Sequence, residues 1–434
     1  MLKLSENDIY AMSIDIIPSP KLSAKVVLPA SKSISNRALI IHALTRDGMP
    51  ASTQSVDTLK NLSDCDDTRV MTNALAMMPD EIDIKAAGTA MRFLSAYLSV
   101  VPGTHTITGT ERMRHRPIGI LVDALRQLGA GIDYVGEKGF PPLRITGGRL
   151  AGGRIRLPGN VSSQYVSALL MVGPRLDEGL TLELEGDVVS RPYINMTASI
   201  MRHFGACVEW ISDHELHVDN GGYRLSGYHI ESDWSASSYW YEMLALSKDP
   251  SSCVVLPGLL EDSLQGDSVV RELFEPLGVQ TTFLQDEDGI GGACLTKKST
   301  RCQCMERDLV NCPDLAQAMV ATCALMGVPF RFTGLQSLRI KETDRLSALR
   351  MELSKLGYDV REEGGSVLCW DGTRVAAQEC PSIDTYDDHR MAMCMAPASM
   401  LKGSIRINNP EVVSKSYPGF WNDLRACGFK VKES

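Results

Sequence analysis

LRQLGAGIDY, residues 125–134, gives the unit from which the whole chain is built. An amphipathic helix ends at Leu128, Gly129 follows, and a strand begins. Glycine suits the left-handed backbone position that closes a helix in this way. The phrase returns as MRHFGACVEW at Gly205, FEPLGVQTTF at Gly278, LSKLGYDVRE at Gly357 and LRACGFKVKE at Gly428. The helices before these glycines are amphipathic; Leu346, Leu349, Leu353 and Leu356 form one stripe.

A second kind of segment alternates with the first. It is almost entirely apolar or small, the composition of a helix buried on most sides. The segments are NRALIIHAL, GTAMRFLSAYL, SSQYVSALLMV, SASSYWYEMLAL, DLAQAMVATCALM and DDHRMAMCMA. They are expected to start near Asn36, Thr89, Ser163, Ala236, Leu315 and His389. Five of them precede a helix-ending glycine by about 40 residues. The first leads to TRVMTNALAMM, where the expected glycine is missing, so the first unit should have a modified end. The chain therefore divides into six α/β units with a period of roughly 70 to 80 residues. Three and three give two lobes, with a boundary near Ile230.

The starts of the six buried helices are all polar: ASKSISNR, AAGTAMR, GNVSSQY, ESDWSASSY, NCPDLAQ and YDDHR. One capping residue is enough to start a helix. If the helices run parallel within each lobe, their positive ends converge on one surface, and two such surfaces enclose a cleft for a polyanion. Lys32, Arg37, Arg92, Arg116, Lys341, Arg345, Arg390 and Lys415 lie at these unit ends, where they would repel one another without an anion.

Bulk properties narrow the partners. The chain has 434 residues, 44% hydrophobic and 22% charged, with a net charge of −9. An acidic balance disfavours nucleic acid and acidic membrane as partners. No apolar run is long enough for a membrane span, and the N-terminal MLKLSENDIYAM lacks a secretory apolar segment. The twelve cysteines show no C-x-x-C spacing and the eight histidines no H-E-x-x-H. Reduced thiols, no metal site and a cytoplasmic location are expected.

Several residues have both a structural and a chemical reading. Ser162 and Ser163 can cap a helix or hold a phosphate. Gly88 and Thr89 can form an ordinary turn or cradle an oxyanion, although no G-x-x-x-x-G-K-[ST] loop is present. Asp314 and Asp344 can be caps. Lys341, Glu342 and Arg345 can be a solvated charge run, or Glu342 can serve as an acid or base. Lys32, Ser33 and Arg37, the pair Asp387 and Asp388, His389 with Arg390, and Lys415 complete the candidates.

Taken together, SKSISNR, AGTAMR, RPIG, GNVSSQY, SRPYI, PDLA, KETDRL and DHRMAM, in this order over nearly the whole chain, resemble the EPSP synthase (3-phosphoshikimate 1-carboxyvinyltransferase) family of enolpyruvyl transferases. The resemblance implies a two-lobed α/β fold of six βαβαββ units, three per lobe, with buried parallel helices. The lobes would be 31–230 and 1–30 joined to 231–434, with a hinge at Pro29 to Ser31. It implies transfer of the carboxyvinyl group of phosphoenolpyruvate to the 5-hydroxyl of shikimate 3-phosphate by addition and elimination, in the pathway to chorismate and the aromatic amino acids. It implies a glyphosate-sensitive monomer with no cofactor and no metal. Lys32, Ser33, Arg37, Ser162, Ser163, Gln164, Ser190, Tyr193, Asp314 and Lys341 would hold shikimate 3-phosphate. Lys32, Gly88, Arg116, Gln164, Arg345, Arg390 and Lys415 would hold phosphoenolpyruvate. Asp314 would take the hydroxyl proton beside Lys341. Glu342 would protonate C3, its pKa raised by water exclusion on lobe closure, and Lys32 would assist the leaving phosphate, with His389 as a further participant.

The sequence departs from the family pattern at Ser337, where Asn is common, at Ala86 (Asn) and at Phe93 (Pro). The last two would shift the helix carrying Gly88 and Thr89. Two alternatives are an enolpyruvyl transferase acting on UDP-N-acetylglucosamine and a non-catalytic anion-binding regulator. The first commonly uses a loop cysteine, and ERMRHRPIG has none. The second is disfavoured by the intact Asp314, Glu342 and Lys32.

Overall fold

The computed structural model describes residues 12–45, 58–285, 291–299 and 301–433. Residues 1–11 and 46–57, parts of the two expected lobes, lie outside the described residues. Gly129, Gly205, Gly278, Gly357 and Gly428 all have positive φ, from 86° to 105°. Each delivers the chain into a strand, as in Gly131–Tyr134 and Val208–Ser212. In the first unit the helix Asp66–Met77 ends on Met78 at φ 42° and ψ 54°. The left-handed position is therefore kept without glycine, at a cost of about 1 kcal/mol.

Five four-stranded sheets share one topology. In one of them Glu81–Asp83 lies parallel to Gly103–Thr108. Leu143–Gly147 pairs antiparallel with both Gly103–Thr108 and Gly131–Tyr134. With the helices Gly88–Val100 and Gly119–Gln127 this is a βαβαββ unit. Two units are completed by strands from the N-terminal end. Ser23–Lys25 runs parallel to Cys253–Pro257, and Ser13–Ile17 lies between Ile405–Asn408 and Lys430–Glu433. The first unit is reduced: among the described residues its sheet is Leu59–Lys60 beside Tyr228–His229.

The six apolar segments are helices: Lys32–Leu44, Gly88–Val100, Ser163–Val172, Trp234–Leu246, Ala316–Met326 and His389–Met395. Most of their residues are buried. The first begins a turn earlier than expected, because Ser31 caps it through Ile34 N–H at 3.5 Å. Lys32 and Ser33 thereby fall in its first turn. The amphipathic helix Arg345–Lys355 buries Leu346, Leu349 and Leu353, with Leu356 just beyond its end. Asp344 caps it through Leu346 and Ser347 N–H.

Buried side chains form two separate clusters. One is drawn from Ala30 to Ile230, the other from Ile14 to Leu28 and Trp234 to Phe429. The chain passes between them twice, side by side. Ser31 N–H donates to Glu231 O at 2.8 Å, and Asp233 N–H to Pro29 O at 2.9 Å. The buried Glu231 carboxylate accepts hydrogen bonds from Trp234 Nε1, Leu260 N, Ser263 Oγ and Gln265 Nε2, which pin this junction. Among the described residues no helix is long and apolar enough to cross a membrane.

Candidate active site

The starts of all six buried helices line one cavity of about 300 Å³. Lys32 and Ser33, Gly88 and Thr89, Ser163 and Gln164, Ser235 and Ala236, Pro313 and Asp314, and His389 and Arg390 represent them in turn. The positive helix ends thus converge as the sequence suggested. Seven cationic side chains and four carboxylates line the cavity, an excess of three positive charges.

The wall from the second half of the chain is a network of carboxylates and cations. Arg345, with its side chain 2% exposed, donates to Asp388 at 2.6 Å, to Asp314 at 3.1 Å and to Glu342 at 3.0 Å. Arg390 donates to Asp314 Oδ2 at 2.9 Å, and Lys341 Nζ is 3.5 Å from Asp314 Oδ1. Lys415 Nζ is 2.8 Å from Glu342 Oε1. Burial alone would raise the Asp314 and Glu342 carboxyls. The surrounding cations outweigh it: Arg390, Lys341 and Arg345 hold Asp314 well below the usual carboxylate range. Lys415, Arg345 and Arg116 do the same for Glu342. Two direct ion pairs, with Lys415 and Arg345, thus hold Glu342 in its ionised form, opposite in direction to the raised pKa that a proton donor needs. Lys341 is lowered, mainly by burial, despite Asp314.

On the opposite wall Lys32 has a carboxylate partner, while Arg37, Arg92 and Arg116 do not. Lys32 Nζ is 3.2 Å from Asp67, and its backbone N–H donates to Asp233 at 3.3 Å. Burial is the largest effect and favours the neutral Lys32 amine, yet Asp67, Cys65 and Glu342 together outweigh it and raise its pKa. Arg37 donates to Thr197 Oγ1 at 2.6 Å, Ser167 Oγ at 3.1 Å and Ser33 O at 2.9 Å. Arg92 donates to the carbonyls of Gly88 and Pro117. Burial pushes both guanidiniums down to about 10, which leaves them charged at neutral pH. Arg116 Nε is buried without a hydrogen-bond partner. Among the described residues no carboxylate lies within ion-pair distance of Arg37, Arg92 or Arg116. Arg116 also explains Gly88, because a Cβ built there would lie 2.7 Å from Arg116 Nη1.

The remaining sequence candidates surround this space. Gln164 Nε2 donates to Thr89 Oγ1 at 3.2 Å. Ser162 Oγ caps its helix through Gln164 N–H, so its structural reading holds. Ser163 lines the cavity beside it. Ser190, at φ 54°, donates to Val310 O, and Tyr193 OH donates to Asp267 Oδ1 at 3.0 Å. His389 is 1% exposed with neither ring nitrogen hydrogen-bonded, and burial with Lys32 and Arg390 keeps it neutral.

Sequence reasoning missed Asp67, Asp233 and Asp267, whose partners are far away in sequence. Asp388 does more than cap: it accepts from Arg390 N–H at 2.9 Å and also holds Arg345. The D-D-H run signalled a helix start, not the second partner of Asp388. Of the three departures, Ser337 lines the cavity. Ala86 is exposed, and Phe93 is buried with Arg37 Cζ 5.3 Å from its ring centroid. No group of three or more potential metal ligands occurs among the described residues, and none of the cysteines there is in a disulfide.

Comparison with known proteins gives this geometry its context. The profile of the family described as EPSP synthase (3-phosphoshikimate 1-carboxyvinyltransferase) matches residues 16–83 and 76–424. A 3-phosphoshikimate 1-carboxyvinyltransferase of Bacteroides fragilis (strain YCH46) is 57% identical over 412 residues, covering 95% of this chain and 97% of the relative. One from Sulfurovum sp. (strain NBC37-1) is 34% identical over 443 residues, covering 95% and 99%. The solved EPSP synthase from Acinetobacter baumannii superimposes with a TM-score of 0.76 at 22% identity, over 98% of this chain and 100% of that one. The enolpyruvyl transferase NikO from Streptomyces tendae gives 0.72 at 15% identity, over 98% and 99%, a likeness of fold. The chain belongs to the EPSP synthase family.

Proposed function

We propose that this chain transfers the carboxyvinyl group of phosphoenolpyruvate to the 5-hydroxyl of shikimate 3-phosphate, releasing phosphate on the route to aromatic amino acids. The observation that carries this is the single cavity lined by all six buried-helix starts, with its three surplus positive charges. Two phosphates and two carboxylates need such a surplus, and helix ends supply N–H donors for oxyanions.

Arg37, with Ser33, Ser162, Ser163, Gln164, Ser190 and Tyr193, would take shikimate 3-phosphate. Lys32, Gly88, Arg116, Arg345, Arg390 and Lys415 would take phosphoenolpyruvate. Asp314 stays ionised at neutral pH and so can accept the 5-hydroxyl proton, with Lys341 beside it. The hydroxyl oxygen bonds to C2 while C3 gains a proton. The adduct then loses a C3 proton and phosphate, with Lys32 stabilising the departing charge. Glu342 would supply and recover the C3 proton. Anionic substrate groups would share Arg345, Lys415 and Arg116 with Glu342, and each added negative charge raises its pKa toward the donating form. Neutral His389 is buried among these groups and can donate or accept one hydrogen bond per nitrogen.

The two hydrophobic clusters support lobes of 31–230 and of 1–30 with 231–434, with the hinge at the paired crossings near Pro29 to Ser31. The proposal includes a cytoplasmic monomer that needs no metal or organic cofactor. The test is phosphate release from phosphoenolpyruvate by purified protein offered shikimate 3-phosphate or UDP-N-acetylglucosamine. Release with the first acceptor alone is expected. Release only with the nucleotide sugar, or with neither, would overturn the proposal.

A further inference from the structure

Two side-chain contacts bridge the rim of the cleft outside the groups placed in the reaction. Arg112 is exposed and sits in the short helix Glu111–Arg114, four residues before Arg116. Its Nε donates to Glu342 O at 3.2 Å and its Nη2 to Lys341 O at 3.3 Å. One planar guanidinium therefore spans two successive carbonyls, a fit to its fixed fork of donors. The turn it holds, 341–343, lies between the 3-10 helix Gln336–Ile340 and the helix Arg345–Lys355 and belongs to neither. No repeating backbone ladder fixes that turn, yet it carries Lys341 and Glu342. At the second contact Ser414 Oγ donates to Asp66, one residue from Lys415, which pairs with Glu342. Both contacts join the first-half wall to a backbone neighbour of the Glu342 cluster.

We propose that Arg112 is a positioning residue: it clamps the 341–342 turn from across the cleft and aims the Lys341 and Glu342 side chains when the walls meet. The inference rests on the proposed reaction for its kinetic consequence, not for its geometry. Arg112 is solvent-exposed and its bonds are to the surface of the opposite wall, so it contributes little to folding. Its loss should be felt in turnover, because interactions that orient reacting groups act on kcat more than on substrate affinity.

The experiment compares wild type with Arg112→Ala and Arg112→Lys. In Arg112→Ala, kcat should fall about tenfold or more while both KM values stay within about threefold. The thermal midpoint should be unchanged. Arg112→Lys, which can reach one carbonyl, should recover part of kcat. Amide hydrogen exchange across 338–344, measured with both substrates bound, should be faster in Arg112→Ala than in wild type. Unchanged kcat, a drop in thermal midpoint accompanying the lost activity, or no recovery in the lysine variant would overturn the positioning role. Wild type that released no phosphate would defeat the proposed reaction instead. The exchange comparison would still decide the clamp, and equal exchange in the two proteins would refute it.

Discussion

Gly88→Ala tests the anion-binding wall with the smallest possible change. The added Cβ would lie 2.7 Å from Arg116 Nη1 and 3.2 Å from Cζ and Nη2. Ordinary contact begins near 3.4 Å, so Nη1 must retreat by roughly 0.7 Å. The obstructing atoms are the far end of a flexible side chain, so the fold should absorb the change. Alanine in place of glycine in a helix also favours folding slightly. Arg116 has no carboxylate to define a new position, so its guanidinium will be displaced from the place where it would meet the anion. Losing much of one charge-assisted hydrogen bond costs about 1–2 kcal/mol, or about 5- to 30-fold in affinity. In steady-state phosphate-release assays the KM for phosphoenolpyruvate should rise by that factor, and the KM for shikimate 3-phosphate should change less than about twofold. Glyphosate, as an anion competing for the same wall, should weaken at least as much. An unchanged KM for phosphoenolpyruvate, with a folded protein, would refute the placement of Arg116 against Gly88.

Three further outcomes are expected. Asp314→Ala and Glu342→Ala should each lower kcat by about 10²- to 10⁴-fold with KM changed only a few-fold, the signature of proton-transfer groups, as measured by single-turnover phosphate release; retained kcat in either variant removes that residue's role. Asp267 is pushed up to about 6 by burial and by Asp314, above its ordinary 3.8, so its contribution is present at low pH and lost as pH rises through about 6. Asp267→Asn should therefore gain stability relative to wild type between about pH 4 and 6.5, by an amount on the order of 2–3 kcal/mol in denaturant titrations, and a pH-independent difference would contradict the buried pair. Leu349→Ala, at a fully buried position of the leucine stripe, should cost about 2–5 kcal/mol of unfolding free energy while kcat stays near wild type in the surviving folded protein.

Much of the architecture was legible because it repeats. A glycine that must be left-handed and a helix with no polar face leave plain marks at each recurrence. Gly129, Gly205, Gly278, Gly357 and Gly428 carry the mark, and Met78 keeps the geometry where the residue changed. The polar helix starts were equally plain, since a buried helix has no other reason for several charged residues at its first turn. Strand exchange was not legible in the repeat pattern itself: Ser23–Lys25 and Tyr228–His229 each sit in a sheet whose other strands are remote in sequence. The same limit hid which site residues pair with one another. Tyr193 and Asp267 are 74 residues apart, Arg345 and Asp388 are 43 apart, and no local pattern links them. The Glu342 electrostatics depend on the same long-range pairing. Water exclusion by itself would raise the Glu342 pKa, but Arg345 three residues on and Lys415 from far along the chain reverse the sign.

The most direct test of the account is a single turnover with enzyme in excess over shikimate 3-phosphate and phosphoenolpyruvate, followed by phosphorus NMR. Phosphoenolpyruvate and shikimate 3-phosphate should disappear together, and inorganic phosphate and one new sugar-like phosphate monoester should appear in equal amounts. Phosphate released while shikimate 3-phosphate stays unchanged, or no reaction at all, would contradict it.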